Sequence, residues 1–335
     1  MAEAGTNANS LVTVFGGSGF VGRHIVRALA KQGWRVRVAV RRPDLANFLQ
    51  PLGDVGQIVA VQANLRYPQS ILAALAGADA VVNATGIQHA SGQQNFEAVH
   101  VFGPREMARA AAKAGISNFV HVSGIGADAD SANAYIASKG RGEAAVREAL
   151  AAAIILRPSV VFGPEDDFFN RFAALARFMP ALPLFGGGEA KMQPVFVGDV
   201  AKAAAIALAG GAKPGATYEL GGPEVMTLRQ IVEYVLQTTD RRRALIPLPF
   251  GVSRVLAHGT EIASSLTLGL FPKALTTTRD QVELLRADNV VTAAAVAEGR
   301  TLQGLGIAPQ GVEAIAPSYL YRFRKTGQYA SSRPP

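Results

Sequence analysis

Tyr135 and Lys139 stand four residues apart in the stretch YIASK, so on a helix they share one face. A phenol beside an ammonium is a proton-transfer pair. The cation stabilises the phenolate and draws its pKa down toward the working range, and the phenol then gives or takes a proton at a carbonyl or hydroxyl. Far upstream, Gly16, Gly17, Ser18, Gly19, Phe20, Val21, Gly22 and Arg23 spell GGSGFVGR directly after an apolar run. Glycines at this spacing suit the close approach of backbone to a pyrophosphate. Gly16 permits the tight turn, Gly19 lets N–H groups reach the phosphates, and Gly22 lets a helix pack closely on a strand. The phosphates would rest on the partial positive charge of that helix's N-terminus.

The elements that must hold these residues can be read around them. An apolar run at 11–15, an amphipathic run at 21–31 and a second apolar run at 36–40 follow one another. Strand, glycine turn, helix and strand within about thirty residues make the βαβ unit of a dinucleotide site. The end of the second strand chooses the cofactor. An NAD site usually carries Asp or Glu there, whereas this chain has Arg41, with Arg42 beside it and Arg23 after the turn. Guanidinium groups bind phosphate in bidentate fashion, so NADP(H) is the expected cofactor.

The alternation continues with strand-like runs at 58–61, 80–84, 118–122 and 153–156, separated by helical runs at 70–76, 104–114 and 140–151. This pattern predicts an α/β fold, a Rossmann-type doubly wound parallel sheet binding nucleotide at the carboxyl ends of its strands. After Arg157 the composition changes. Pro158, Pro164, Pro180, Pro183 and the run Gly186, Gly187, Gly188 suggest loops and short helices in a smaller C-terminal lobe. Asp199 and Thr227 are N-cap residue types, expected to open helices over AKAAAIALAG and LRQIVEYVLQ. The expected division is a flexible N-terminus (1–10), a nucleotide-binding core (11–160), a smaller lobe (161–316) with interleaved core elements at about 194–222, and a tail (317–335).

Composition narrows the function classes. A chain of 335 residues with 49% hydrophobic and 17% charged residues is globular, and the absence of Cys excludes disulfides, thiolate metal sites and cysteine nucleophiles. The five His show no metal-ligand spacing, and no metal is expected. The opening MAEAGTNANS lacks the basic and apolar regions of a signal peptide. The longest apolar stretch, 251–271, is broken by Arg254, His258 and Glu261, so a soluble cytoplasmic protein is expected. A net charge of +8 points to a nucleotide ligand, an anionic membrane surface or an acidic protein partner. Its densest clusters are Arg241, Arg242, Arg243 and the tail YLYRFRKTGQY, and no nucleic-acid motif accompanies them, so no nucleic acid is expected. His121 reads as a core residue in an apolar strand, while His89 and His100 flank a loop that faces the cleft. Asp166 and Asp167 read as helix caps, and LIPLPFGVSRVLAHG as an apolar edge or as core.

GGSGFVG, NATG (83–86), VHVS (120–123), YIASK, LRPSVVFGPED (156–166) and PVFVGDVA (194–201) together resemble the extended and atypical short-chain dehydrogenase/reductases. EDDFFNRF, QPVFVGDV, TTTRDQVELLRADNVV and LGIAP are similar, more narrowly, to the nucleotide-binding accessory subunits of respiratory complex I and their bacterial relatives. The resemblance implies tight NADP(H) binding and docking on hydrophilic-arm subunits near the membrane, at its cytoplasmic face in a bacterium, with no demonstrated turnover. It adds Asn64, Leu65, Thr85, Gly86 and Pro158 to the cofactor contacts, beside Tyr135 and Lys139, and Ser123 to the catalytic set. Two departures stand out. Gly124 occupies the position where active members carry Ser or Thr, removing a donor often worth about a hundredfold in rate, and Asn64 replaces an Asp near the adenine. Two alternatives stay open: a free-standing NADP(H)-dependent reductase, dehydrogenase or epimerase using Tyr135, and an NADP(H)-sensing regulator.

Overall fold

Val, Ile and Phe cluster in short runs that end on glycine or polar turns, and each such run in the first half of the chain becomes a strand. The computed structural model describes residues 10–88, 90, 92, 94–252, 279–325 and 327. His89, most of the 251–271 stretch, the second half of LIPLPFGVSRVLAHG and the terminal SSRPP lie outside the described residues. The first strands are β1 (Leu11–Phe15), β2 (Arg35–Val40), β3 (Ile58–Gln62), β4 (Ala80–Asn83), β5 (Asn118–Val122) and β6 (Ile154–Pro158). Later come β7 (Val161–Phe162), β8 (Ala181–Phe185), β9 (Lys191–Met192), β10 (Val195–Phe196), β11 (Thr217–Leu220), β12 (Met226–Thr227) and β13 (Ala244–Leu248). The longer helices are α1 (Phe20–Lys31), α2 (Pro68–Leu75), α3 (Gly103–Lys113), α4 (Ala134–Ala149), α5 (Phe169–Phe178), α6 (Val197–Ile206) and α7 (Leu228–Thr238).

One compact unit runs through Pro158 and takes in Val197–Leu220 and Val291–Pro309. Its seven-stranded sheet has the order β11-β6-β5-β4-β1-β2-β3, and every pairing is parallel. Strand order reverses between β1 and β4, which is where a doubly wound sheet opens a crevice at its carboxyl ends. Val12, Val14, Val36, Val38 and Val82 are buried because helices cover both faces of the sheet. Phe15, Ala39, Ile71, Met107 and Phe119 share the core under α2 and α3. On α1, Ile25, Val26 and Leu29 are buried, and that helix packs along α6, whose alanines allow close approach. Residues 291–309, grouped with the lobe on sequence alone, pack in this unit.

The second unit comprises Ser159–Phe196, Gly221–Val290 and Gln310–Pro335. Phe162, Phe169, Leu182, Leu184, Ile231, Val235 and Leu320 form its core, with α5 packed on α7. Pro183 and Pro247 sit inside β8 and β13, which pair in parallel, so a stretch expected as loops and short helices contains a two-stranded ribbon. With a single partner each, these strands can spare the N–H that proline lacks. Thr227 caps α7 through a full capping box with Gln230. Asp199 is not a cap: α6 starts two residues earlier, and the buried carboxylate sits inside its first turn, 3.0 Å from Lys202 Nζ. Asp166 does serve α5. Its carboxylate accepts from the N–H groups of Phe168 (2.8 Å) and Asn170 (3.1 Å) and from the Tyr319 hydroxyl (2.8 Å).

Candidate functional site: the carboxyl ends of β1, β4 and β5

The turn after β1 is built to exclude side chains. Gly16 has φ +75°, and a Cβ there would lie 2.8 Å from the carbonyl oxygen of Ala84 at the exit of β4. A Cβ on Gly17 would meet Val38 Cγ1 at 2.7 Å, and one on Gly22 would strike the Gly16 carbonyl. Gly19 differs: it is exposed, and a Cβ there would have only the Gly16 oxygen nearby, at 3.2 Å. It opens α1 with no side-chain cap, and the first turn carries no acidic residue. The N–H groups of Phe20, Val21 and Gly22 are therefore free of any intrahelical acceptor or competing carboxylate, the arrangement that receives an anion. Arg23 braces the turn, its Nε and Nη2 donating to the carbonyls of Gly19 (3.2 Å) and Ser18 (3.1 Å), with its guanidinium 5.0 Å above the Phe48 ring. This glycine cradle and its donors fit a dinucleotide pyrophosphate.

Arg41 follows directly on β2 and is exposed, with no ion-pair partner among the described residues. Arg42 is engaged by Asp44 at 2.8 Å. After β3, Asn64 spends its side chain on its own turn: Oδ1 accepts from Arg66 N–H at 3.2 Å. Leu65 packs into the core, where a Cβ on Gly103 would touch Leu65 Cδ1 at 2.9 Å.

At the end of β4 a buried polar network forms. Asn83 Oδ1 accepts from the Thr85 N–H (3.0 Å) and hydroxyl (2.6 Å), while Asn83 Nδ2 donates to His121 Nδ1 (2.9 Å). That network assigns the proton of the neutral His121 ring to Nε2. His121 Nε2 and Ser123 Oγ are both buried and have no protein partner among the described residues. Burial, with Lys139 adding repulsion, pulls the His121 pKa down to about 3.

His100 lies in the π-helical turn Glu97–Phe102 and does not open onto solvent. The Ile87 N–H donates to its Nε2 (3.1 Å), so Nδ1–H donates to Ser138 Oγ (2.9 Å), which in turn donates to the Tyr135 carbonyl (2.7 Å). The ring stacks on Phe96 and meets the Tyr135 edge, each at 5.5 Å between centroids. Burial first, and then Lys139 and His121, lower its pKa to about 2, so it stays neutral and acts as a strut.

Helix α4 begins earlier than the run at 140–151 suggests, because Asn133 caps it by accepting from the Ile136 N–H at 3.1 Å. Tyr135 and Lys139 both lie within it, with Lys139 Nζ 5.9 Å from the centre of the Tyr135 ring. A Cβ on exposed Gly86 would come within 3.5 Å of that ammonium, which places it at the exit of β4. Burial lowers the Lys139 pKa to about 8, against a smaller opposing pull from Glu143. The expected lowering of the Tyr135 pKa does not occur. Burial raises it, because desolvation disfavours the phenolate. Gly124 is not forced by space, for a Cβ there would meet nothing closer than the Pro158 oxygen at 3.9 Å. Pro158, buried at the end of β6, accepts the Ile125 N–H at 3.0 Å through that oxygen.

One positioning pair escaped the reading of the sequence. Arg157 on β6 forks onto Glu143 of α4, Nε to Oε1 at 2.9 Å and Nη2 to Oε2 at 2.7 Å, and also reaches the Ala127 carbonyl at 3.1 Å. Glu143 lies one turn beyond Lys139, so this clamp sets the height of the Tyr135–Lys139 face on the sheet. An acid at i+4 from Lys139 was visible; its partner fourteen residues on carried no local signal.

Residues 12–221 match the NAD dependent epimerase/dehydratase family. Over 335 aligned residues, 98% of this chain and 82% of the relative, the chain is 33% identical to the mitochondrial NADH dehydrogenase (ubiquinone) 1 alpha subcomplex subunit 9 of Arabidopsis thaliana. Over 179 residues, 53% of this chain and 55% of the relative, it is 37% identical to the ceramide reductase of Caulobacter vibrioides. Its fold matches the UDP-glucose 4-epimerase of Thermotoga maritima with a TM-score of 0.65 at 17% identity, covering 94% of this chain and 99% of that one. The chain belongs to the NAD-dependent epimerase/dehydratase family, within the extended short-chain dehydrogenase/reductases.

Proposed function

We propose that this chain is an NADP(H)-binding accessory subunit, or assembly component, of a respiratory NADH:quinone oxidoreductase, and that the cofactor serves structure rather than turnover. The observation that carries the reading is the reach of the similarity to a complex I subunit, which extends over 98% of the chain, well past residue 221 where the family match ends. The residues at the crevice divide in the same sense. The cradle Gly16–Gly22 is complete, Arg41 stands ready for a 2′-phosphate, and Lys139 and the Asn83-held Thr85 line the exit of β4 toward a ribose. When bound, the nicotinamide brings hydride-transfer capacity. The proton-handling side is weak, because Tyr135 is held above its ordinary pKa and no hydroxyl stands at Gly124. Docking would be peripheral, since no helix among the described residues is long and apolar enough to cross a membrane.

Isolating the respiratory complex from the source membranes tests this reading: the chain and one NADPH per copy should co-purify with it. A complex I fraction lacking the chain would refute it. A free-standing reductase remains the second reading, supported by the similarity to a ceramide reductase and by Tyr135 and Lys139 on one helix.

A further inference from the structure

Strand β3 ends the seven-stranded sheet, and its outer side carries no strand. Its parity follows from two flanking bonds, Val36 N–H to Gln57 O (2.8 Å) and Ala63 N–H to Val40 O (2.8 Å). Odd-numbered residues therefore bond inward to β2, and the N–H and C=O groups of Ile58, Ala60 and Gln62 point outward. Among the described residues nothing bonds to them. Edge strands are usually blunted by charge, proline or a bulge, yet β3 reads IVAVQ with none of these. Val59 is 52% exposed, and Leu45, Phe48, Val55 and Tyr67 in the adjoining segments are exposed as well.

The same parity sends the side chains of Val59 and Val61 to the face that α2 and α3 cover only toward the carboxyl ends, where Ala63 joins their core. At the amino ends that face is open, a groove of about 250 Å³ whose lining includes Leu11, Arg35, Val36, Arg37, Val59 and Val61. Its two cations face no carboxylate in the groove. Arg37 Nη1 is held by the carbonyls of Ala74 and Ala76, each at 2.8 Å. We infer that β3 is a docking edge for an extended segment of another polypeptide, which pairs with the outward amides of Ala60 and Gln62, beyond the buried Ile58. Its alternate apolar side chains enter the groove beside Val59 and Val61, and an acidic residue meets Arg35 and Arg37. The affinity comes from main-chain pairing and the selectivity from the arginines.

The test uses the full chain and an acetylated heptapeptide of alternating valine and threonine flanked by aspartates, with lysine-flanked and centrally proline-substituted versions as controls. The aspartate peptide should bind about tenfold or more tightly than either control and slow amide exchange at residues 60 and 62. Ala60→Pro removes only an outward N–H, so binding should fall at least about tenfold while circular dichroism and NADPH affinity stay unchanged. Val59→Glu, at an exposed position, should weaken it similarly if the proline variant folds poorly. No binding, equal binding of the lysine peptide, or protection elsewhere would overturn the inference. So would self-association of the wild type that Ala60→Pro abolishes, since the occupant would then be a second copy.

Discussion

Lys139 is buried, yet in the role proposed for it, holding a ribose, it would be charged, and the conflict has a signature in pH. Its pKa in the folded protein is about 8, against an ordinary 10.5. Between these values the unfolded chain keeps a proton that the native protein has shed, so stability rises with pH across the window. Urea titrations from pH 7.5 to 10.5 should show that rise in the wild type and a flatter profile in Lys139→Met, and NADPH affinity should decline above pH 8 only in the wild type. Arg41 has no competing partner among the described residues, whereas Arg42 is tied to Asp44. Arg41→Asp should therefore weaken NADPH by about 1.5–3 kcal/mol in calorimetric titration, leaving NADH nearly unchanged. Gly19→Val puts a branched side chain where phosphates approach, at a site whose own backbone tolerates it. Loss of NADPH binding with unchanged circular dichroism is expected; unchanged affinity would mean the binding loop is misplaced.

Helix α4 is the element on which the site depends, and two clamps fix it. Glu143 is bound to Arg157 on β6, and Ser138 to His100 and so to the loop after β4. Glu143→Ala leaves Arg157 with the Ala127 carbonyl and, as its nearest carboxylate, Glu219 at 4.0 Å, and should cost about 3 kcal/mol in urea unfolding. The βαβ unit was legible because its glycines and its two periodicities agree. The start of α4 was not, because the Ala-rich run was read from Gly140, whereas the cap Asn133 lies well upstream of Gly140 and Gly142. They are there for packing: a Cβ on Gly142 would strike the His100 carbonyl, and one on Gly140 would strike the backbone at Ala129. Asp199 misled in the opposite way. Its residue type suits a cap, but packing buries it in the first turn.

At the scale of the whole molecule, the joining of distant segments is what no local pattern reveals. Residues 291–309 enter the first unit through Glu219, whose N–H donates to the Arg300 carbonyl (2.9 Å) and whose carboxylate accepts the Thr292 N–H (2.8 Å). More than seventy residues separate Glu219 from Thr292. The glycine turn and the Tyr135–Lys139 face were readable as residue types at fixed spacing, whereas the struts around them, Asn83, His100 and Glu143, depend on tertiary neighbours. The most direct measurement is NADH:quinone oxidoreductase activity and assembly in source-cell membranes carrying Tyr135→Phe or Gly19→Val. A structural cofactor requires that Tyr135→Phe retain wild-type assembly and activity and that Gly19→Val lose both along with bound NADPH. Respiratory assembly indifferent to Gly19→Val, together with an NADPH-oxidising activity abolished by Tyr135→Phe, would contradict it and establish a free-standing reductase.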